Sequence, residues 1–232
     1  MSALQELLKD TFGYDDFRPG QETIIRHVLR QENVLGIMPT GGGKSICYQL
    51  PALLLDNLTL VISPLISLMK DQVDALNLMG IPATYINSTI SYQEMNQRIQ
   101  LAVNKEVKLL YVAPERLESY DFQQMLTHVP IDLLAVDEAH CISQWGHDFR
   151  PSYLRLAEII DQFQQQPTVI ALTATATPQV AEDIVKQLRI PSENEITTGF
   201  DRENLSFQVV KDQNRDVFLL EYLKMNSGQS GI

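Results

Sequence analysis

A glycine-rich segment carries the clearest signal for chemistry in the sequence. It reads Pro39-Thr-Gly-Gly-Gly-Lys-Ser45 and lies between the apolar run Val34–Met38 and a helical pattern. Consecutive glycines permit a tight loop whose backbone N–H groups point inward at phosphate oxygens, and the N-terminus of the following helix adds positive charge. The segment therefore predicts a phosphate-binding loop formed by Thr40, Gly41, Gly42, Gly43, Lys44 and Ser45.

Lys44 and Ser45 have separate predicted roles in this loop. The Lys44 ammonium would reach the β- and γ-phosphates of a nucleotide, and the Ser45 hydroxyl would hold Mg²⁺. The strict motif requires glycine where this chain has Met38, so the match is imperfect at its first position. A purely structural glycine turn is the alternative, but the strand–loop–helix setting favours a nucleotide site.

Two adjacent carboxylates follow another apolar run. Leu133–Val136 leads directly into Asp137-Glu-Ala-His140, so a strand would deliver both carboxylates at its carboxyl end. Asp137 suits coordination of Mg²⁺, and Glu138 suits orienting or deprotonating an attacking water. A solvent-exposed acidic turn is the alternative for a lone pair of this kind. Together with the glycine-rich loop, the pair predicts hydrolysis of a nucleoside triphosphate.

The elements that must position these groups alternate between two patterns. Short, nearly continuous apolar runs indicate strands covered on both faces; they are Val34–Met38, Thr59–Ile62, Thr84–Ile86, Lys108–Val112, Leu133–Val136 and Thr168–Leu172. Amphipathic stretches lie between them, at Lys44–Leu55, Ile66–Met79, Tyr92–Asn104, Tyr153–Phe163 and Pro178–Leu188. This alternation predicts an α/β domain with a mostly parallel central sheet and helices on both faces, which binds ligands at the carboxyl ends of its strands.

Composition limits the classes of protein that remain. The 232 residues, 44% of them hydrophobic, suffice for a globular domain, and 11 Gly, 11 Pro and 2 Cys exclude collagen-like and disulfide-rich classes. Two isolated cysteines predict reduced thiols and no zinc site. No apolar stretch is long enough to cross a bilayer, so no membrane partner is expected. The formal net charge of −11 argues against a nucleic-acid partner, although a local basic groove can coexist with an acidic body.

The C-terminal part of the chain has a different pattern. Leu205–Val210 predicts a further strand and Arg215–Lys224 a helix, after which residues 226–232 form a polar, glycine-containing segment that ends on Ile232. We expect one domain over residues 1–225. Over residues 226–232 we expect a linker that enters a truncated second domain.

Together these motifs resemble those of superfamily-2 helicases, and their surroundings resemble the RecQ family of DNA helicases over nearly the whole chain. The segments that carry the resemblance are Phe12–Gln21, Ser63–Gln72, Ala113–Leu117, Asp137–Pro151, Thr173–Thr175 and Phe200–Asn204. Asp137–Pro151 is the most specific of them, because it joins a DEAH box to a segment that looks like the family's aromatic-rich loop (residues 139–151). Glu203 stands where many relatives have proline. The resemblance implies a RecA-like P-loop NTPase domain.

The resemblance also implies that the nucleotide is ATP. Gln21 would read the adenine edge, and Tyr14 and Arg18 would flank the base, since an aromatic face and a guanidinium can sandwich a base that a side-chain amide pairs with. Without the family, Phe12 and Tyr14 would more often be core residues. His140 would connect the nucleotide site with bound DNA, although a lone histidine is usually structural. The implied catalytic set is Lys44, Asp137, Glu138 and His140.

A track for single-stranded DNA is a further implication. In the aromatic-rich loop, Trp145, Phe149 and Arg150 would sense the strand, since base stacking on aromatic side chains tolerates any sequence. A buried core tryptophan is the alternative for Trp145. Hydroxyl, amide and cationic groups at strand ends would hold phosphates or couple the two sites, whereas surface charge and ordinary strand threonines are the alternatives. These positions are Ser63, Lys70, Gln72, Arg116, Thr173 and Thr175.

By this resemblance the chain is the N-terminal ATP-binding lobe of a 3′–5′ DNA helicase that couples ATP hydrolysis to translocation and unwinding in DNA repair and recombination. Its partners would be single-stranded and partially duplex DNA and a second RecA-like lobe of the same chain. That lobe would supply an arginine finger, which is worth about 10³–10⁵ in rate, so the first lobe alone is expected to be nearly inactive. We expect a location in the bacterial cytoplasm or at the nucleoid.

Two other classes of function stay open at this point. One is a P-loop enzyme with another track or task, namely a protein-directed motor, a nuclease or an RNA-directed helicase. The other is a binding module without catalysis. An aromatic-rich loop after the DEAH box favours a nucleic-acid track over a protein track. Intact Lys44, Asp137 and Glu138 favour an enzyme over a binding module.

Overall fold

The fold is a parallel sheet between two layers of helices. The computed structural model describes residues 2–199, 209–211 and 214–228. Within these ranges seven strands form one sheet: β1 (Val34–Ile37), β2 (Leu58–Ile62), β3 (Ala83–Ile86), β4 (Leu109–Val112), β5 (Ile131–Val136), β6 (Thr168–Thr173) and β7 (Glu195–Thr197). Their order across the sheet is β3-β4-β2-β5-β6-β1-β7, and every neighbouring pair is parallel. The expected α/β domain with a parallel central sheet is confirmed.

In the described part of the chain, six helices lie between successive strands in the sequence, two precede the first strand, and one follows the last. In the described ranges they are α1 (Ala3–Phe12), α2 (Gln21–Leu29), α3 (Ile46–Leu54), α4 (Ile66–Leu78), α5 (Tyr92–Val103), α6 (Tyr120–Leu126), α7 (Leu156–Ile160), α8 (Pro178–Gln187) and α9 (Arg215–Met225). Alternate residues of β5 enter different hydrophobic clusters: Leu134 and Val136 pack in one, and Leu133 and Ala135 in the other. The sheet is therefore buried on both faces, which explains the continuous apolar runs.

The strand register lines up the candidate site. Val136 of β5 pairs with Ile62 of β2 and with Ala171 of β6, and Ile37 of β1 pairs with Thr173 of β6. The carboxyl ends of β2, β5, β6 and β1 thus lie side by side. We call this side of the sheet the carboxyl edge, and the side where the same strands begin the amino edge.

One predicted helix is wrong as a continuous element. In place of the predicted helix Tyr153–Phe163, the structure has a 3₁₀ turn at Pro151–Arg155 and then the short helix α7. The Tyr153 side chain is buried, and its hydroxyl donates to the backbone carbonyl of Asp137 at 3.0 Å. This tertiary hydrogen bond holds Tyr153 in the 3₁₀ turn, so packing overrides the helical periodicity.

Other boundaries also differ from the expectations. Helix α3 begins at Ile46 rather than Lys44, because Lys44 belongs to the phosphate loop. The sequence patterns gave no strand at Glu195–Thr197, where β7 is short and partly exposed and so lacks an apolar run. The expected strand Leu205–Val210 lies outside the described residues except for Val209 and Val210, which are not in a strand. Phe200–Asn204 and residues 229–232 also lie outside them.

Contacts divide the chain into two units, residues 1–200 and 201–232. In the second unit, α9 begins after Asn214, whose side chain accepts hydrogen bonds from the N–H groups of Asp216 and Val217. The expected helix at Arg215–Lys224 is confirmed, with one more residue at its end. The domain boundary at residue 225 stays a prediction. Among the described helices, none combines the length and apolar character that a bilayer crossing requires.

Candidate nucleotide and nucleic-acid site

The glycine-rich loop connects β1 to α3 at the carboxyl edge. Gly41 and Gly43 have φ angles of +79° and +77°, which favour glycine, and the N–H of Gly42 donates to the carbonyl of Pro39 at 2.8 Å. Met38, which stands where the strict motif has glycine, is buried in the core, and its sulfur contacts that of Cys47 at 3.8 Å. The departure from the motif therefore adds to the core and leaves the loop's tight turn intact.

Gln21 and Arg18 contact the loop directly. The Gln21 side chain is buried, and its amide donates to the carbonyl of Gly43 at 2.9 Å while its oxygen accepts from the N–H of Arg18 at 2.8 Å. The Arg18 guanidinium donates to the carbonyl of Gly41. A Cβ at Gly43 would lie 2.4 Å from the Gln21 amide nitrogen, so this contact needs glycine. The predicted adenine-binding residues are thus brought to the loop, with the exposed Tyr14 nearby in sequence.

Asp137 and Glu138 differ in electrostatics although they are neighbours. Asp137 is only 9% exposed, and burial together with the Glu138 charge raises the pKa of Asp137 to about 6. A hydrogen bond with His140 lowers the pKa of Glu138. The positive charge of Lys44 opposes protonation of both carboxyls. Glu138 therefore stays ionised at neutral pH, as a group that accepts a proton from water must.

The backbone of Glu138 adopts an unusual conformation. Its φ of +48° lies in the left-handed region, which a non-glycine residue enters at some cost. In this conformation Glu138 Oε2 lies 3.3 Å from His140 Nδ1. A strained backbone persists only where the surrounding structure holds it in place, and such residues are frequent at functional sites.

His140 joins the carboxylates to β6. Its Nδ1 lies 3.0 Å from the Thr173 hydroxyl, and that hydroxyl donates to the carbonyl of Thr175 at 3.0 Å. Because the Thr173 hydroxyl uses its proton on Thr175, it accepts from His140, whose Nδ1 therefore carries hydrogen. A continuous chain of contacts thus runs from Glu138 through His140 and Thr173 to Thr175.

The Lys44 ammonium makes no ion pair or side-chain hydrogen bond within the described parts of the chain. Its positive charge lowers the pKa of both Asp137 and Glu138, which shows that it lies near the two carboxylates. A half-buried cation without an ion pair in the described residues, next to a tight glycine-rich turn, is suited to bind a polyphosphate anion.

The donor set at this edge fits Mg²⁺ chemically. Mg²⁺ prefers oxygen ligands, and Ser45 offers a hydroxyl while Asp137 offers a carboxylate. One Asp137 oxygen accepts from the N–H of Glu138 at 3.0 Å, and the other has no hydrogen bond within the described residues. Among those residues no cluster of three or more His, Cys, Asp or Glu side chains is suited to hold a metal by itself. A cation here would thus need further oxygens from nucleotide and water.

The aromatic-rich loop presents Trp145 to solvent. The indole is 68% exposed, so the alternative of a core tryptophan is wrong. Next to it, the His147 ring stacks on that of His140 with centroids 4.1 Å apart. The half-buried Phe149 and Arg150 follow, and the Arg150 guanidinium contacts Asp148, Glu115 and the carbonyl of Pro64. The loop therefore contacts the DEAH box at one end and the segment after β2 at the other.

A cavity of about 610 Å³ separates these groups. It is lined by residues of the phosphate loop, the DEAH box, the aromatic-rich loop and the end of β6, including Thr40, Pro64, Glu138, His140, His147 and Thr175. Space for a ligand is thus bounded by the phosphate loop, the segment after β2, the DEAH box, the aromatic-rich loop and the end of β6. Such convergence at strand ends is the usual place for a ligand in a parallel sheet.

The other predicted DNA contacts are placed unequally. Lys70 is exposed on α4, whereas Ser63 is buried at the end of β2. Gln72 points inward and accepts from the Gln49 amide at 2.7 Å. The Arg116 guanidinium donates to the carbonyl of Asn87 at 2.6 and 2.9 Å. The Gln72 amide and the Arg116 guanidinium are therefore already hydrogen-bonded within the domain.

Sequence reasoning missed several residues that hold the site together. Tyr153 supports the Asp137 backbone from below, and Gln49 links Gln72 to the Tyr111 hydroxyl at 3.1 Å. Asp183 of α8 accepts a hydrogen bond from Ser143 in the aromatic-rich loop. Their sequence neighbourhoods carry no motif, because each acts through a contact with a distant part of the chain.

Comparison with known proteins identifies the family. A family model for the DEAD/DEAH box helicases matches residues 18–184, well over half of the chain. The chain belongs to the DEAD/DEAH box helicase family. Within it, the chain is of the RecQ type: it is 55% identical over 229 residues to the ATP-dependent DNA helicase RecQ of Bacillus subtilis, covering 98% of this chain and 39% of that protein.

Other relatives of this helicase domain agree. The ATP-dependent DNA helicase RecQ of Haemophilus influenzae is 43% identical, covering 97% of this chain and 36% of that protein. The Hef helicase domain of Pyrococcus furiosus has a similar fold, with a TM-score of 0.62, 19% identity and coverage of 84% of this chain and 40% of that one. The chain thus spans about two fifths of the length of the curated relatives it matches.

Proposed function

We propose that this domain is the ATP-binding N-terminal lobe of an ATP-dependent DNA helicase that hydrolyses ATP to translocate on single-stranded DNA and unwind duplexes. The observation that carries the proposal is the contact chain from Glu138 through His140 and Thr173 to Thr175. It begins at the carboxylates that would act on ATP, and His140 also stacks on His147 beside the exposed Trp145. One set of contacts therefore joins a hydrolytic site to a surface suited to bases.

In the proposed reaction the phosphate loop binds the triphosphate and Lys44 neutralises its terminal charge. Ser45 and Asp137 would hold Mg²⁺, which when bound would supply positive charge that stabilises the phosphates. Glu138, ionised at neutral pH, orients the attacking water and accepts its proton. His140 holds the Glu138 carboxylate in place through the contact of its Nδ1. Gln21, Tyr14 and Arg18 select adenine.

DNA would lie across the exposed part of the carboxyl edge. Trp145 offers a stacking face, which supports a single strand without sequence preference. Lys70 is the predicted cation with a free, exposed position for a phosphate, whereas Gln72 and Arg116 would act by shaping the track, since their polar groups are bonded within the domain. Phe149, Arg150 and Ser63 would fix the loop against the segment after β2.

The proposal includes a second RecA-like lobe that completes the ATP site. The relatives are named ATP-dependent DNA helicases, and the chain spans about two fifths of their length. An arginine finger from that lobe would raise the rate about 10³–10⁵-fold, so the first lobe alone would bind ATP but turn it over very slowly. We also propose 3′–5′ polarity, a role in DNA repair and recombination, and a place in the bacterial cytoplasm.

Two assays on the same preparations test the proposal. ATP hydrolysis is measured with and without single-stranded DNA on this lobe and on the protein extended by a second lobe, each with Lys44→Ala as the inactive control. We expect strong stimulation by DNA in the extended protein and little turnover in the lobe alone. Strand displacement on duplexes with a 3′ or a 5′ overhang then tests polarity. Hydrolysis by the extended protein that DNA does not change would contradict a DNA track.

A further inference from the structure

Ser143 is a buried relay at the start of the exposed part of the aromatic-rich loop. The residue is only 1% exposed, and its hydroxyl donates to Asp183 Oδ2 at 2.5 Å. The same hydroxyl oxygen accepts from the backbone N–H of Trp145 at 3.2 Å. Ser143 therefore connects a carboxylate on α8 to the backbone that carries the indole.

The turn around Trp145 is tightly built. The N–H of Gly146 donates to the carbonyl of Ser143 at 2.9 Å. A Cβ at Gly146 would lie 2.3 Å from the carbonyl oxygen of His140, so this close approach requires glycine. The backbone from Ser143 to Gly146 is thus held in place, while the indole that it carries is exposed.

Asp183 is well placed to fix this turn. It lies on α8, which follows Thr175 and whose buried residues Val180, Ala181 and Ile184 pack in the main hydrophobic cluster. The helix is therefore a rigid support. A hydrogen bond from a hydroxyl to a carboxylate is about twice as strong as one between neutral groups, and the 2.5 Å distance lies in the range of such bonds.

The position of Trp145 also sets the width of a slot. A cavity of about 350 Å³ lies between the loop and the start of α8, with Trp145 and His147 on one side and Thr177 and Val180 on the other. Asp183 and Ser143 join these two walls. A change in their hydrogen bond would therefore move the indole relative to α8.

We propose that Asp183 is a positioning residue for Trp145. By accepting from Ser143, it fixes the backbone of the turn and holds the indole at the edge of the slot. Asp183 does not line either of the two cavities at this edge, and it acts on Trp145 through Ser143. The effect on hydrolysis rests on the proposed function, in which Trp145 couples DNA to the ATP site, whereas the effect on the indole does not.

The indole itself is the reporter for the test, because Trp145 is the single tryptophan of the chain. Time-resolved fluorescence anisotropy is measured on this chain for the wild type, Asp183→Ala, Asp183→Asn and Ser143→Ala. We expect greater local mobility of the indole in Asp183→Ala and Ser143→Ala. Asp183→Asn should restore most of the rigidity, because its amide oxygen still accepts the hydrogen bond. The double variant should be no more mobile than either single variant, since both remove one interaction.

Glu182→Gln is the matched control, because Glu182 is the exposed neighbour of Asp183 on the same helix and has no ion pair within the described residues. Its anisotropy should equal that of the wild type. Circular dichroism and thermal unfolding of each variant show that the domain is folded. An indole as rigid in Asp183→Ala as in the wild type would overturn the proposal. So would an Asp183→Asn variant no more rigid than Asp183→Ala.

A kinetic readout separates positioning from mere structural support. In the protein extended by a second lobe, Asp183→Ala should lower the DNA-stimulated kcat for ATP about 3- to 30-fold, which lies within the range of coupling between contacting residues. The KM for ATP and the rate without DNA should not change. An equal loss with and without DNA would overturn the proposal. If the indole is freed as expected but Trp145→Ala itself leaves DNA stimulation intact, the proposed function fails and the positioning role stands.

Discussion

The two edges of the same sheet use polar residues in opposite ways. At the amino edge, both oxygens of Asp132 accept from Asn57, each at 2.8 Å, and Asn33 accepts from the N–H of Val169 at 2.9 Å. At the carboxyl edge, Lys44 has no ion pair within the described residues and Asp137 is buried with a raised pKa. These amino-edge groups are satisfied by internal hydrogen bonds, whereas the carboxyl edge holds charges at a cost to stability.

Cavity size does not distinguish the two edges. The amino edge has a polar cavity of about 500 Å³ lined by Asn33, Asn57 and Asp132 among others, and the carboxyl edge has one of about 610 Å³. What differs is the state of the groups around each cavity. Among the described residues a left-handed φ occurs on both sides, at Glu138 and at Gln31 beside the amino-edge cavity, whereas the carboxyl whose pKa burial raises, Asp137, lies on the side of the candidate site. Unsatisfied charge is therefore a better guide to function here than volume.

Replacing one carboxylate at the carboxyl edge has the largest expected effect on activity. Glu138→Gln should lower the DNA-stimulated ATPase rate of the extended protein about 10²–10⁴-fold, because the amide cannot accept a proton from water. ATP binding, measured by titration calorimetry, should persist. Asp132→Asn at the amino edge is the matched control and should leave the rate unchanged. Near wild-type turnover in Glu138→Gln would show that the carboxylates of the carboxyl edge do not carry out hydrolysis.

Asp137→Asn should stabilise the isolated domain. Burial raises the pKa of Asp137 to about 6 from its usual value of 3.8, so between these values the folded state binds more protons than the unfolded state, and stability falls as pH rises. Above pH 6 the full cost applies, and removing it should raise the free energy of unfolding by about 1–3 kcal/mol at pH 8. Urea titrations without Mg²⁺ at pH 8 and pH 4.5 measure this difference. A gain of equal size at both pH values would refute the burial argument.

At the amino edge, replacing a carboxylate should lower the free energy of unfolding instead of raising it. Asp132→Ala leaves the backbone N–H and the amide of Asn57 without their acceptors, and we expect a loss of about 1–2 kcal/mol in the free energy of unfolding. ATPase activity of the folded fraction should not change. Chemical denaturation gives the stability, with Asp56→Ala, an exposed neighbour, as the control. A stable but inactive Asp132→Ala protein would show that the amino edge takes part in hydrolysis, against this expectation.

Tyr153→Phe is the smallest and most discriminating change. The lost hydrogen bond to the Asp137 carbonyl should cost about 0.5–1.5 kcal/mol in stability. Because Tyr153 supports the backbone and not a reacting group, kcat should fall less than for any change in the DEAH box. Parallel measurement of unfolding and steady-state kinetics tests this order. A kcat loss as large as that of Glu138→Gln would place Tyr153 among the reacting groups.

The sequence predicted the parts of the fold that have local signals. Continuous apolar runs located six of the described strands to within about two residues, and the glycine-rich loop and DEAH box marked the two strand ends that form the site. β7 was missed because three partly exposed residues give no apolar run. The 3₁₀ turn at Pro151–Arg155 was missed because its cause is a hydrogen bond from Tyr153 to a distant strand end.

The same division holds for the candidate site. Residue type and spacing brought Lys44, Asp137, Glu138 and His140 to one edge, because parallel strands must end together there. Sequence could not predict that the polar groups of Gln72 and Arg116 would be used inside the domain. Nor could it predict that Asp183 would bond to Ser143, forty residues earlier in the chain. These pairings depend on how the helices pack, and no short motif encodes that.

In the proposed function, hydrolysis at the carboxyl edge is coupled to DNA through the exposed aromatic-rich loop. The most direct test measures ATP hydrolysis by the extended protein with and without single-stranded DNA, for the wild type and Trp145→Ala. We expect the ratio of the two rates to be large in the wild type and to fall toward one in Trp145→Ala, while the affinity for ATP is retained. An unchanged ratio in Trp145→Ala would contradict the account, because the exposed indole would then have no part in coupling.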